Sequence, residues 1–583
     1  MKKPQGNRFC IIDPSSGLAA RARTCLETAT RKLLADQTES GCWEGRIASS
    51  PFATALCLFA LALGDGKNFR SQINRGITWL QCCQNSDGGW GDTDRSPSHP
   101  PATVLAILGL KLAGGSKTYD CLSRAQACMR RFGGLAAVEN YYGQDRTFAI
   151  PIKTLCSLSG LMAWDARDAF PFEVVLLPSW LIRLMRLPVV SFAITTLIPL
   201  GILQHARNPS PSIWQRALRA YSIPRGLALL SHLQPPNGSF LSSAVSTSLV
   251  VIGLIASGIT PRIDLKKSLK FLAGSQRPDG SWPIVDNLSV WNTVLAAQSL
   301  AEAGSAPSSF KLRQAAAWLL EHYQEQKEPL SHAWSAGWSW THNAGCLIDA
   351  DDTAGTLLAL KRLGVDLVGP PMTHSFKWLR ALQNRDGGWT SFTRGSGNLV
   401  FDRSCVDISC QVLKSLALAA ATPDSSAIAK GLAYLYRQQR PEGSWAPLWF
   451  GNEYAGSRSN LFYGTYKVLD LWASLPSPSP NAAGRKGLAW ILRHQNPDGG
   501  WGHGWAGGSS PEETALGVLT LLSSLEAHQS ESLEKGIAWL VSRQNPEGSW
   551  DPTPIGLYCQ SLFYYENMYA LAFPCLALAR YLK

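Results

Sequence analysis

Charge is scarce in this sequence: Asp, Glu, Lys and Arg make up 16% of its 583 residues, against roughly 25% in an ordinary soluble protein. The balance is basic, with 54 Lys and Arg against 42 Asp and Glu for a net charge of +12. The cations are scattered and no basic run is interleaved with aromatics, so a nucleic-acid groove is excluded and attraction to an anionic membrane surface is the better reading. No apolar run reaches the roughly 20 residues that a transmembrane helix needs. The longest covers residues 188–203 and is broken by Pro199; it reads as a buried core helix or as an interfacial segment. Behind the lysines of MKKPQGNRFCIIDP there is no apolar stretch, so no cleaved secretion signal is expected and the protein is read as staying on the cytoplasmic side. The 14 Cys show neither repeated CxxC spacing nor His partners, which speaks against zinc and disulfide frameworks and for reduced thiols.

What is abundant is tryptophan, with 22 copies, and much of it falls in a repeat. An apolar helical pattern ends in Gln, a turn follows, and an aromatic stands six residues after the Gln. The copies run from Gln37 to Trp43, Gln84 to Trp90, Gln234 to Phe240, Gln276 to Trp282, Gln383 to Trp389, Gln439 to Trp445, Gln495 to Trp501 and Gln544 to Trp550. Segments such as KGLAWILRHQ before and ETALGVLTLLSSL after the turn carry apolar residues at helical spacing, so the unit is a helical hairpin. Pro in the turn stops the first helix and Gly allows a tight return, while the Gln amide bonds loop backbone and the indole stacks on it.

Such hairpins stacked in a ring form an α-α barrel, and a chain of this length is expected to divide into two. The predicted fold is all-α: two α-α barrels of repeated hairpins joined by QxxxGxW-type turns, one barrel inserted into the other. Residues 1–40 are expected to pack on the catalytic barrel, 41–286 to form the first, inserted barrel, and 287–583 the catalytic barrel. The long interval from Gln84 to Gln234 is where the first barrel departs from plain repetition.

One inner helix starts differently from the others. LIDADDTAGTLLALKRL places Asp349, Asp351 and Asp352 in the first turn of an otherwise apolar helix. N-capping needs one Asp; crowding and desolvation of three push a carboxyl pKa upward and keep an acid protonated at neutral pH. Glu512 and Glu513 of PEETALGVL are the contrast, where capping suffices. With no metal-ligand cluster and no Ser-His-Asp set, such an acid suits protonation of an uncharged alkene. The resulting cations are then stabilised by aromatic faces, and Trp338 and Trp340 stand just upstream. No cofactor and no metal are called for.

The eight turns together with DADDTA at 349–354 resemble the squalene-hopene cyclase and oxidosqualene cyclase superfamily of class II terpene cyclases. The resemblance implies a linear polyprenoid substrate such as squalene, monotopic attachment to a membrane and a homodimer. It implies that Asp351 is the proton donor, polarised by Asp349 and Asp352, and that Trp291, Trp340, Phe392, Trp449, Tyr463 and Tyr569 are cavity aromatics. Asp407 and Gln411 are implied as supports of the acid, although Gln411 stands where hopene cyclases carry His, and Cys405 and Cys410 lie near. Thr54 and Leu56 occupy the region of family glutamates, so termination by proton loss is expected. The alternatives are a class II cyclase of oxidosqualene, a diterpenoid or a meroterpenoid, and a non-catalytic lipid-binding repeat protein. A glycosidase barrel needs two separated carboxylates, and a prenyltransferase subunit needs a zinc site; neither pattern is present.

Overall fold

The computed structural model describes residues 17–583 apart from 144–147, 166–168, 186, 188–190, 260–262, 395–399, 401, 419–424, 476–481, 505–507, 525–529 and 560. The N-terminal stretch read for a leader, and residues 188–190 of the long apolar run, therefore lie outside the described residues.

Each turn is a three-way hydrogen-bonded junction. The Gln amide donates to the carbonyl four residues on, at 2.8–3.5 Å in all eight copies. It donates again to the backbone opening the next outer helix, as from Gln383 to Ala427 and from Gln439 to Ala483. The seven indoles donate to the carbonyl ten residues back at 2.6–2.9 Å, satisfying the end of their own helix. In the seven copies before Trp550 the backbone N–H of the aromatic donates to a Thr or Ser hydroxyl on an inner helix; Trp445 uses Thr465 and Trp501 uses Thr514. The turn glycine is required: at Gly443 φ is 109° and a Cβ would meet the Lys486 carbonyl oxygen at 2.5 Å.

These junctions build two rings. In the C-terminal ring the inner helices Ser289–Glu302, Ala350–Arg362, Val406–Leu418, Leu461–Ala473, Pro511–Leu522 and Asn567–Tyr581 pack each on the next, and the last closes on the first. Helix Leu18–Ala35 packs outside this ring, on Asn567–Tyr581 and Glu531–Arg543, and Gln544 donates to its Cys25 carbonyl. The second ring consists of Pro51–Asp65, Pro100–Ala113, Ala149–Leu158, Ser191–Arg207 and Ala244–Ser257. Its helix Ala244–Ser257 is covered on nearly every side; only Ile255 and Ser257 in it are not fully buried.

The long apolar run contributes to Ser191–Arg207, a core helix of this ring with Pro199 in its interior. Between Tyr119–Arg131 and this helix lie shorter pieces, among them Ala136–Tyr142 and Ser179–Met185. Strands are limited to two short antiparallel pairs among the described residues, Gln324–Lys327 with Trp334–Gly337 and Gly556–Tyr558 with Leu562–Tyr564. The second pair bridges the rings: Phe563 N–H donates to Asp92, in the loop that precedes Pro100–Ala113 of the other ring.

Because each indole both fills a gap and satisfies a helix end, Trp501→Ala should destabilise by about 3–5 kcal/mol. Trp501→Phe keeps most of the volume but leaves the Ile491 carbonyl without its donor and should cost about 1–3 kcal/mol. Thermal melts of both variants against the parent should show this order.

Candidate active site

The helix Ala350–Arg362 starts at Asp349, whose backbone is extended and whose Oδ1 accepts the Asp352 N–H at 2.8 Å. Capping thus uses one carboxyl oxygen. Asp349 Oδ2, Asp351 Oδ1 and Asp352 Oδ1 are buried without a hydrogen-bond partner among the described residues. Burial is the largest influence on all three and favours the neutral acid; mutual repulsion adds to it at Asp349 and Asp352. At Asp351 burial raises the pKa from 3.8 to about 7, the Lys467 ammonium opposes that rise and Asp407 adds to it. Desolvation therefore outranks the crowding that the spacing alone suggests.

These carboxyls line an apolar cavity with Trp291, Trp340, Phe392, Trp449 and Tyr569. Trp340 and Phe392 meet edge to face at 6.3 Å, as do Phe392 and Trp449 at 6.2 Å, and the Trp449 indole is oriented by donating to Ser391 Oγ at 2.6 Å. The same loop fixes the acid, since the Ser391 carbonyl accepts the Ala350 N–H. Phe450, Tyr558 and Tyr564 complete the aromatic wall. Motif reading passed over them because each follows or precedes a residue it did single out, or sits on the short strand pair. Tyr463 is one layer behind, stacked on Phe450 at 3.7 Å.

Trp338 is a correction. It does not line the cavity: its indole donates to Leu319 O at 2.6 Å and its N–H to Thr353 Oγ1 at 3.0 Å. That is the junction pattern of the other turns, so Trp338 marks a ninth turn and is the eighth turn tryptophan. The strand pair ending at Gly337 lengthens its turn and hides it from a search for Gln six residues earlier. Thr54 likewise proves to be a junction hydroxyl, accepting the Trp282 N–H.

Asp407 opens the neighbouring helix Val406–Leu418, accepts the Leu448 N–H at 3.3 Å and has its pKa raised, chiefly by burial. Gln411, one turn on, accepts a hydrogen bond from Lys467 Nζ at 2.5 Å. Lys467 was not singled out from YGTYKVLDLW because a lone lysine on a helix usually marks a solvated face; here it sits on an inner helix. Glu512 and Glu513 do more than cap: they accept hydrogen bonds from Thr553 and from Asn452, and so hold the two loops that border the cavity.

Two family models match the chain: the squalene-hopene cyclase C-terminal domain over residues 288–583 and the corresponding N-terminal domain over residues 26–217. A probable squalene–hopene cyclase of Sinorhizobium fredii is 26% identical over 577 residues, covering 86% of this chain and 85% of the relative. Drimenyl diphosphate synthase of Streptomyces showdoensis is 28% identical over 267 residues, 46% of each chain. Among solved structures, ent-copalyl diphosphate synthase from Streptomyces platensis superposes with a TM-score of 0.56 at 18% identity, over 97% of this chain and all of that one; this likeness concerns the fold.

The raised pKa of Asp351 has a consequence for stability. A carboxyl at 3.8 in the unfolded chain and about 7 in the fold keeps more protons folded than unfolded between those values, so stability falls as pH rises from about 4 to about 7 and levels off above. Asp351→Asn, neutral at every pH, should melt higher than the parent at pH 8 and show a shallower fall over that interval in thermal melts.

Proposed function

Since the chain belongs to the squalene-hopene cyclase family and is a class II terpene cyclase, we propose that it polycyclises a linear triterpene, squalene, to a polycyclic product. The observation that carries this reading is the placement of one unpartnered, buried carboxyl oxygen of Asp351 at an aromatic cavity whose lining holds no Lys, Arg or His. Asp351 gives its proton to a terminal alkene carbon. The tertiary cation that forms faces the rings of Trp340, Phe392 and Trp449, and each following double bond attacks the cation before it. The last cation loses a proton, so the proton consumed at one end is returned at the other and the product is an isomer of the substrate. Asp349 and Asp352, protonated and buried beside the donor, polarise it, and the apolar, aromatic lining offers the cations no nucleophile of its own.

Phe392 also lines a wider, partly polar space of about 640 Å³ on the far side of the loop, together with Ile182, Arg183, Lys327, Trp334 and Arg394. We read this as the substrate's way in. The helix Ser179–Met185, which contributes Ile182 and Arg183, also exposes Trp180, Leu184 and Met185, and the helix Ile213–Leu233 exposes Ile213 and Trp214. Large exposed apolar groups of this kind mark a contact surface, and with the net charge of +12 they favour attachment to an anionic lipid surface on the cytoplasmic side. A homodimer is proposed on the family resemblance alone. The cations at the mouth favour one second reading, a diphosphate-bearing prenyl substrate with its head in this space.

Detergent-solubilised protein incubated with squalene, 2,3-oxidosqualene or geranylgeranyl diphosphate, the last hydrolysed before extraction, should give a cyclised C30 product from squalene by gas chromatography–mass spectrometry. Turnover should fall as pH rises through about 7 and be lost in Asp351→Asn; retention there overturns the acid, and product from the diphosphate alone establishes the second reading. In flotation with anionic vesicles, the double variant Trp180→Ser, Trp214→Ser should bind less than the parent. Equal binding would place the membrane contact elsewhere.

A further inference from the structure

Lys467 belongs to an inner helix, and its ammonium is held on three sides. It donates to Gln411 Oε1 at 2.5 Å, and stands 5.4 Å from the ring centre of Tyr463 and 6.0 Å from that of Trp291. The amide nitrogen of Gln411 points the other way, onto the helix of the acid, where a Cβ at Gly355 would meet it at 2.8 Å. Gly355 is one turn beyond Asp351, so Gln411 packs between the ammonium and the helix that carries the acid. Trp291 in turn separates the ammonium from the cavity, lining the cavity and also the small space in which Lys467 and Gln411 lie.

The charges around Lys467 single out its partner. On its own helix the next carboxylate, Asp470, is taken by Lys414 at 2.5 Å and Arg580 at 2.9 Å, and Tyr463 and Tyr466 are buried phenols held neutral. From Val406–Leu418 it faces Asp407 and the buried thiol Cys410, which feel its charge. Helices Ser289–Glu302 and Asn567–Tyr581 turn Trp291, Gln298 and Phe573 toward it, none of them charged. Asp351 feels the ammonium more strongly than it feels Asp407.

We propose that Lys467 is a positioning residue for the acid: tethered by Gln411, its ammonium stabilises the carboxylate that Asp351 becomes as its proton leaves. This rests on the reading of Asp351 as proton donor. It gives Gln411 a physical role, since a neutral amide cannot itself stabilise the carboxylate as a charge does but can orient one that can.

The test is the pH profile of kcat on the substrate that the parent enzyme turns over, for Lys467→Met, Lys467→Arg and Asp351→Asn, with thermal melts to confirm folding. Without the cation Asp351 holds its proton more tightly. Lys467→Met should therefore lose about tenfold in kcat below pH 6 while its alkaline limb moves upward by about one pH unit; Lys467→Arg should keep the parent's limb. Lys467→Gln serves the same purpose should the apolar variant not fold. A loss of kcat with the limb unmoved would show a packing role only and overturn the inference while leaving the acid in place. An active Asp351→Asn would instead overturn the acid, and Lys467's role with it.

Discussion

The hydrogen bond from each turn indole to a carbonyl at the end of the preceding outer helix holds the architecture together. A helix ends with carbonyls that have no intrahelical donor, and in a ring of buried helices those ends cannot all turn to water. The indole N–H supplies a donor and its rings fill the space next to it, while the preceding Gln reaches the following outer helix. Every hairpin is thereby attached to its successor through backbone groups, independently of what its inner face presents. That independence leaves one inner helix free to begin with three aspartates.

It also explains how much of the molecule is legible in the chain. The turns can be read because their geometry restricts residue type at fixed spacing: a glycine at φ near 100°, an amide four residues before it, an indole two residues after. The aspartates can be read because no cap needs three. Trp338 was misplaced because its junction uses the same bonds with a strand pair inserted in the turn, so the bonding survives where the spacing does not. Phe450, Tyr558 and Tyr564 gave no signal of their own: an aromatic on the cavity wall and one in the core satisfy the same apolar pattern, and only the tertiary arrangement separates them. The interval 84–234 yielded least: its helices range from the 7 residues of Ala136–Tyr142 to the 21 of Ile213–Leu233, and no turn repeats between Gln84 and Gln234 to mark where they begin and end.

Lys467 shows a further limit of pattern reading. Its position on the helix was plain, but its meaning depends on which groups face it from other helices, and that is a property of ring closure. Asp470 lies three residues along the same helix and would be its natural partner by spacing; Lys414 and Arg580, from two other inner helices, occupy that carboxylate instead.

An acid that protonates an alkene faces two opposed requirements. It must hold its proton at neutral pH, which burial provides by penalising the carboxylate, and it must release that proton to a very weak base, which the same burial opposes. A fixed ammonium behind the aromatic wall reconciles them, because its attraction grows with the charge on Asp351 and is fully expressed only once the proton has gone. It would be harmful in a cavity that must then carry carbocations were it uncompensated. After transfer, however, Lys467 and Asp351 form a neutral pair, and Trp291 and Tyr463 stand against the ammonium. The field that the migrating cation meets is then set mainly by the faces of Trp340, Phe392 and Trp449, which attract it without forming a bond.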